Sequence, residues 1–146
     1  MSISYTSNQP KKVVDLSYKE AVDADKNEAN VYRKLLPQFI KIIKDVDDLI
    51  ENGEAKKIYK KRGQESKYLI FVKNWNISIK SALRKSYSIL KKTKNGHEAR
   101  EAVKNFEFYL RGRMKIFYNK NLELVVKKLG VYGKTTYVMD VELQIK

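Results

Sequence analysis

The feature that most constrains the fold is a long stretch free of glycine and proline, from Gln64 to Thr93. At about 100° per residue, with Lys73 at zero, its apolar residues fall between about 160° and 280°. That set is Tyr68, Phe71, Val72, Trp75, Ile79, Ala82, Leu83, Ser86, Ile89 and Leu90. The cations Lys73, Lys80, Arg84 and Lys91 lie within about 20° of zero. The pattern predicts one long helix that buries Trp75 and carries a row of four cations on its opposite face.

A second amphipathic helix is predicted to begin near His97, after Asn95-Gly96. With Arg100 at zero, its apolar residues lie between about 180° and 300°, and its cations between about 0° and 60°. These cations are Arg100, Lys104, Arg111 and Lys115. Arg113 is the exception, since it lies at about 220°, inside the apolar stripe. Because glycine weakens a helix, we expect Gly112 to kink or reset the helix there.

The first third of the chain also has helical signals. Ser17 with Glu20, and Asp25 with Glu28, have the spacing of capping boxes and predict two helix starts. Pro37 lies inside an apolar run of helical period and predicts a kink or the true start of that helix. Asn52-Gly53 predicts its end, and residues 54–63 predict a short basic helix.

The C-terminal stretch changes period. A helical segment is expected near Leu122 to Leu129, ending at Gly130. Residues 135–146 then alternate with a period of two, which predicts a half-buried strand. Its apolar positions, the candidate partner-binding residues, are Tyr137, Met139, Val141, Leu143 and Ile145.

A lone strand must find a neighbour for its backbone hydrogen bonds. The neighbour is either the N-terminal segment near Ile3 and Tyr5 (residues 3–6), a second copy of the chain, or the sheet edge of a partner protein. The alternative of equal weight is a hairpin within the domain, with Tyr132-Gly133 as the turn.

Together these patterns predict a mainly α fold: a helical bundle of about four helices with a short C-terminal β element. A length of 146 residues fits one domain. Residues 1–14 are expected to form a flexible tail, 15–130 the bundle and 131–146 the β segment.

The positive charge of the chain is concentrated in residues 53–146. The protein has 31 Lys and Arg against 17 Asp and Glu, a formal net charge of +14. Residues 1–52 have a net charge of −1 and residues 53–146 a net charge of +15, with no acid between Lys73 and Lys94. Nucleic acid is the default partner of so basic a surface. The charge has three other possible explanations: an anionic membrane face as partner, an acidic protein as partner, or a compositional bias towards lysine.

The candidate nucleic-acid-binding residues follow from these rows and from the basic helix. They are Lys56, Lys57, Lys60, Lys61, Arg62, Lys73, Lys80, Arg84, Lys91, Arg100, Lys104, Arg111 and Lys115. The aromatic side chains Tyr59, Tyr87, Phe108, Tyr109 and Tyr118 lie near these cations in sequence. They are expected to stack on bases or, more often, to pack in the core.

The composition offers little for catalysis. Cysteine is absent and His97 is the only histidine, so we expect no metal site, no cofactor and no enzyme. Asp45 and Asp48 share a helix face, which we interpret as a solvated surface rather than a cation site. No apolar run approaches the roughly 20 residues of a membrane span, and the N-terminus lacks a secretion signal. The expected location is therefore the cytoplasm of a host cell or a virion, with no membrane contact.

In size, charge, lack of cysteine and helical layout, the chain resembles the small basic helical proteins of hyperthermophilic archaeal viruses. Those proteins include DNA-gripping coat proteins and a related inhibitor that occupies the DNA channel of host RNA polymerase. The segment 105–118 (NFEFYLRGRMKIFY) also resembles, over about a tenth of the chain, the small helical subunit of type III CRISPR complexes.

The resemblance and the charge imply two functions. The first is a non-catalytic nucleic-acid-binding protein of a virus or mobile element, which binds DNA or RNA without sequence specificity. The alternative is an inhibitor or regulator of a nucleic-acid machine such as RNA polymerase. A homo-oligomer is compatible with either function.

Overall fold

The computed structural model describes residues 12–146. The described chain opens with a short strand, continues through helices joined by tight turns, and closes with a β-hairpin. Its elements are β1 (Lys12–Asp15), α1 (Tyr18–Arg33), α2 (Leu36–Glu51), α3 (Glu54–Lys61), α4 (Glu65–Asn74), a π-helical turn (Trp75–Ile79), α5 (Lys80–Lys92), α6 (Gly96–Tyr118), β2 (Leu122–Tyr132) and β3 (Thr135–Ile145). The predicted fold class is confirmed: mainly α, with a short β element at the C-terminus.

Local signals set most helix ends. The Ser17 hydroxyl accepts a hydrogen bond from the Glu20 backbone, and the Glu20 carboxylate accepts one from the Ser17 backbone. These bonds lower the pKa of Glu20. The second predicted helix start is wrong, because Asp25 lies within an unbroken α1. Pro37 lies in the first turn of α2 and marks its start, and Gly53 follows its end with φ +81°.

The long helix contains a π-helical turn that its sequence pattern does not reveal. α4, the turn and α5 follow one another without a break, and the Lys80 N–H bonds the Trp75 carbonyl across five residues. Such a turn inserts one residue, which rotates everything after it by about 100°. Trp75 is fully buried, as predicted. Ile89, which was expected to face inward, is 37% exposed.

α6 is one continuous helix. The Asn95 side chain caps its start by accepting from the Glu98 N–H, and Asn119 ends it with φ 53°. The helix continues without interruption through Gly112, where a kink or reset was predicted. Its buried residues follow the predicted stripe: Ala99, Ala102, Val103, Phe106, Leu110, Met114 and Phe117.

The three-stranded sheet has the order β1-β2-β3, with β1 parallel and β3 antiparallel to β2. The helical segment predicted at residues 122–129 is wrong, because these residues form most of β2. Leu124 lies opposite Leu143 in the ladder, and Val126 lies opposite Val141. A short run of Leu and Val fits both periods, and pairing with a distant strand decides between them.

The boundaries predicted between the tail, the helical bundle and the β segment differ from those in the structure. The helices end at Tyr118, and the predicted boundary at residue 130 falls inside β2. Residues 12–14, placed in the flexible tail, belong to β1 and pair with β2. The predicted pairing of residues 3–6 lies outside the described residues.

The main core fills the space between the helices and the sheet, with Phe39 stacked on Phe106 at 4.7 Å between ring centroids. A smaller cluster forms where β1 leads into α1, around Leu16. A Cβ on Gly130 would lie 2.6 Å from both Leu16 Cδ1 and Met139 Sδ, so a larger residue there would displace these side chains. The two clusters hold the sheet against α1 and α6.

Candidate nucleic-acid interface

The predicted cations are mostly available to solvent. All thirteen are exposed except Lys80 and Arg100, which are half-buried. They lie in three groups: on α3 and its last turn, along α4 and α5, and along α6. Two of the predicted cations, Lys73 and Lys80, differ from the prediction in their placement or in their partners.

Lys80 is part of a structural contact. Its Nζ lies 3.3 Å from Asp47 Oδ1, with the two side chains 25% and 29% exposed. The same carboxylate oxygen accepts a hydrogen bond of 2.7 Å from Trp75 Nε1. Asp47 comes from α2, so its approach to the long helix is a tertiary event that spacing within that helix does not predict. Lys80, which was predicted as a phosphate contact, is thus paired with Asp47 in the folded protein.

The predicted row on α4 and α5 is also broken. Lys73 precedes the π-helical turn, whereas Arg84 and Lys91 follow it. The extra residue rotates Lys73 by about 100° relative to the later two. Arg84 and Lys91 remain on one face at a spacing of seven residues, and Lys91 Nζ lies 5.6 Å from the Tyr87 ring centroid.

The basic cluster on α3 is anchored through its apolar face. Ala55 and Tyr59 are buried, and the cations point away from them. Lys57 lies 3.7 Å from Glu54 in an exposed pair, which stabilises the helix little. The remaining members, Lys56, Lys60, Lys61 and Arg62, are exposed.

The most regular basic surface lies on α6. Lys104, Phe108, Arg111 and Lys115 follow one another at spacings of four, three and four residues, which places them along one helix face. We call these four residues the α6 row. Phe108 is 75% exposed and lies nearly opposite the buried stripe. The row therefore presents an exposed aromatic ring between cations.

Acids flank the α6 row without neutralising it. Lys104 Nζ lies 3.9 Å from Glu101, and Arg111 Nη2 lies 3.1 Å from Glu107 Oε2. The same Glu107 oxygen also accepts a hydrogen bond of 3.2 Å from the Leu124 backbone of β2, so it is shared between two donors. Arg111 is 61% exposed and has five donors, so most of them remain open. Exposed ion pairs are weak and can be exchanged for a stronger anion.

The other aromatic candidates are not displayed for stacking. Tyr59 is buried, and Tyr87, Tyr109 and Tyr118 are half-buried. Of the five aromatics considered in the sequence, Phe108 is the exposed one. The signal that distinguishes it in the sequence is its helical phase, opposite the apolar stripe of α6.

The partner-binding residues predicted on β3 mostly pack inside the protein. Val141 and Leu143 belong to the main core. Tyr137 and Met139 cover the smaller cluster around Leu16. Tyr137 and Met139 are half-buried, and Ile145 is 37% exposed. The structure shows the hairpin alternative, with its turn at Gly133-Lys134 rather than at the predicted Tyr132-Gly133. Val141 and Leu143 are buried in this fold and are therefore not open to a partner.

Side chains also cover part of the outer edge of β3. The Val138 N–H donates to Glu28 Oε2 at 2.8 Å, and Gln38 Nε2 donates to the Leu143 carbonyl at 3.4 Å. Side chains of α1 and α2 thus bind two backbone groups of β3 that could otherwise pair with a further strand.

A cleft of about 730 Å³ lies between α1, the turn before α6, and the start of β3. Asp25, Glu28, His97 and Glu98 line it. Two of its acids form structural bonds: Glu28 accepts from the Val138 N–H of β3, and Glu98 accepts from the Thr93 hydroxyl at 2.6 Å. Across residues 12–146, no group of three or more metal-ligating side chains is placed to hold an ion.

None of the helices within residues 12–146 is long and apolar enough to cross a membrane. No protein-family model matches the chain, and neither the curated proteins nor the solved structures contain a significant match.

Proposed function

We propose that this protein binds nucleic acid without sequence specificity and that the α6 row is its contact surface. The observation that carries the proposal is Phe108, 75% exposed between Lys104, Arg111 and Lys115 on one helix face. Charged side chains alone serve solubility, but an exposed phenylalanine does not. In a single nucleic-acid strand, phosphates and bases lie side by side. The cations can therefore contact phosphates while the ring between them stacks on a base.

The dimensions of the α6 row suit a short length of strand. Lys115 follows Lys104 by eleven positions, which corresponds to about 16 Å along a helix axis. That distance spans about five base steps at the 3.4 Å spacing of one strand. Three cations and one ring therefore provide backbone contacts with a single stacking position between them.

The ring favours single strands over duplex. An aromatic side chain stacks on a base only where the base face is free, as in single-stranded DNA or RNA. Stacking of this kind accepts every base, in keeping with binding that ignores sequence. The other exposed cations, on α3 and α5, raise the positive field around the protein and speed encounter with a polyanion.

The charge contacts are tested with a pair of matched variants. Lys104→Gln with Lys115→Gln removes two charges from the α6 row. Lys41→Gln with Lys44→Gln removes two from α2, where both lysines are exposed and paired to acids one turn on. Fluorescence anisotropy with labelled oligonucleotides at several salt concentrations measures affinity and its salt dependence.

We expect the α6 variant to lower the salt slope by about 1.4 for a single strand, since each lost contact removes about 0.7. The α2 variant is expected to leave the slope unchanged. Equal losses in both variants would show that only net charge matters and would contradict the assignment to α6. Absence of binding by the wild-type protein at low salt would overturn the function itself.

The stacking contact has its own control. Phe108→Ala is compared with Leu69→Ala, because both side chains are 75% exposed and neither belongs to the core. Loss of one stacked base predicts about 5- to 150-fold weaker binding of single strands, with little change for duplex. A Leu69→Ala variant that loses as much affinity as Phe108→Ala would contradict a specific role for the ring.

A further inference from the structure

Three aliphatic side chains form an exposed patch on the long helix, away from the α6 row. Leu69 is 75% exposed, Ile70 62% and Ile77 65%. Leu69 and Ile70 lie on α4, and Ile77 lies in the π-helical turn. We call these three residues the Leu69 patch. A single exposed aliphatic side chain is common on a protein surface, whereas a group of them with a polar rim is typical of an interaction site.

The Leu69 patch occupies one side of the helix. Ile77 follows Ile70 by seven positions, about two turns, which places both on the same side. Leu69 lies about 100° around the axis from Ile70. Lys73 is four positions from both Leu69 and Ile77, so its methylene stem lies between the apolar side chains. The result is an aliphatic ridge about 12 Å long, a surface of the kind that packs against another helix.

The opposite side of the helix is fixed in the core. Phe71 and Trp75 are buried there. The Phe71 ring contacts Phe117 of α6 at 5.4 Å between centroids, and the Trp75 indole donates to Asp47 of α2 at 2.7 Å. The Leu69 patch is thus displayed on a helix that α2 and α6 hold in place. A partner that binds it does not have to order this surface first, which favours binding.

The charges beside the Leu69 patch determine which partner fits it. Lys67 and Lys73 are exposed, and neither forms an ion pair with any residue from 12 to 146. Glu65 is the single acid of α4, and no acid follows it before Glu98. A second copy of this chain, with its net charge of +14, would bring the same lysines against these. Charge complementarity therefore favours a partner that carries carboxylates.

We propose that the Leu69 patch is a docking site for an acidic amphipathic helix of a partner protein. Aliphatic side chains of that helix cover the patch, and its Asp and Glu residues pair with Lys67 and Lys73. The patch and the α6 row lie on different helices, so the docking site does not rest on the nucleic-acid function. Its small size is typical of a reversible complex.

The test uses two synthetic helical peptides of about 18 residues, or five turns. The first carries leucines on one face, at spacings of four, three and four positions, with glutamates on both sides of that face. The second keeps the leucines and has lysine in place of every glutamate. Fluorescence anisotropy of each labelled peptide measures its affinity for the wild-type protein and for the variants at low and at moderate salt.

We expect the acidic peptide to bind at least about 10-fold more tightly than the lysine peptide at low salt, with a smaller difference as salt screens the charges. Leu69→Ala with Ile77→Ala is expected to weaken binding of the acidic peptide by about 10- to 100-fold, because two aliphatic contacts are lost. Both side chains are exposed, so the fold is retained. Phe108→Ala is the control, since it removes an equally exposed apolar side chain from α6 and should leave the peptide affinity unchanged.

The charged rim is tested with its own pair of variants. Lys67→Gln with Lys73→Gln is expected to reduce the preference for the acidic peptide and its salt dependence. Lys41→Gln with Lys44→Gln removes the same charge from α2 and should retain both. Equal effects of the two pairs would show that only net charge matters and would contradict the assignment to this face.

Other results overturn the docking site. One is failure of the acidic peptide to bind the wild-type protein, and another is equal affinity for the two peptides. A third is an equal loss of peptide affinity in Phe108→Ala and in the double variant of Leu69 and Ile77. Self-association in analytical ultracentrifugation, or binding to phosphatidylserine vesicles, that this double variant abolishes would assign the patch to a second copy or to a lipid surface instead.

Discussion

The contact among Asp47, Trp75 and Lys80 is predicted to be the main polar anchor of the long helix. Trp75 is fully buried, and its indole N–H donates to Asp47 Oδ1 at 2.7 Å. Lys80 Nζ approaches the same oxygen at 3.3 Å. The Asp47 carboxylate on α2 therefore binds one side chain at the start of the π-helical turn and one just after its end.

Asp47→Ala leaves the indole N–H without an acceptor, which costs about 1–3 kcal/mol for a buried donor. The lost pair with Lys80 adds at most about 1 kcal/mol, because both side chains are still partly exposed. The expected loss is therefore about 1–4 kcal/mol. Asp47→Asn keeps an oxygen for the indole and removes only the charge, so its expected cost is no more than about 1 kcal/mol.

Urea unfolding followed by far-UV circular dichroism measures these differences, since tryptophan fluorescence would respond to the substitution directly. Asp48→Ala is the control, because Asp48 forms an exposed pair with Lys44 and should cost less than about 0.5 kcal/mol. An Asp47→Ala variant as stable as this control would refute the reasoning. Equal losses in the Ala and Asn variants would assign the stabilisation to Lys80 instead of the indole. If Lys80 is structural, Lys80→Gln leaves the salt slope of nucleic-acid binding unchanged.

Three further predictions concern glycines and tyrosines. Gly96→Ala is expected to lower the free energy of unfolding by about 1–3 kcal/mol, because its Cβ would lie 2.8 Å from the Glu28 Cβ; an unchanged urea midpoint would contradict this. Gly112→Ala is expected to raise it by about 1 kcal/mol, since a Cβ there meets open space inside α6, and a destabilised variant would refute this. Burial raises the pKa of Tyr59 and Tyr118 above the ordinary 10.0. The unfolded chain releases these protons first, so stability should fall as pH rises past about 10, and Tyr59→Phe should flatten that fall in urea titrations.

Much of the helical layout was available from the sequence. The capping box at Ser17 and the glycine after α2 fix helix ends through bonds and dihedral angles local to a few residues. The apolar stripe of α6 gave its buried face, because a helix repeats at a fixed angle regardless of its neighbours. The same angle placed Phe108 on the outer face and Arg113 on the inner one.

Other features needed the tertiary structure, because they depend on residues far apart in the chain. The run beginning at Leu122 is a strand because β3 and β1 pair with it. Lys80 is a structural cation because α2 brings Asp47 against it. The π-helical turn rotates Lys73 out of the predicted row, and its single extra residue leaves no mark on composition or spacing.

The sequence by itself determined the helical class, the buried face of each long helix and the sign of the surface charge. These follow from local propensity, periodicity and composition, which act within a few residues or sum over the whole chain. The tertiary structure alone decided which cations have acidic partners, which strand edges are covered, and that the Arg113 guanidinium lies over the Phe71 ring. Charge pairing and burial are set by distances in space, and distances between remote residues exist only once the chain has folded.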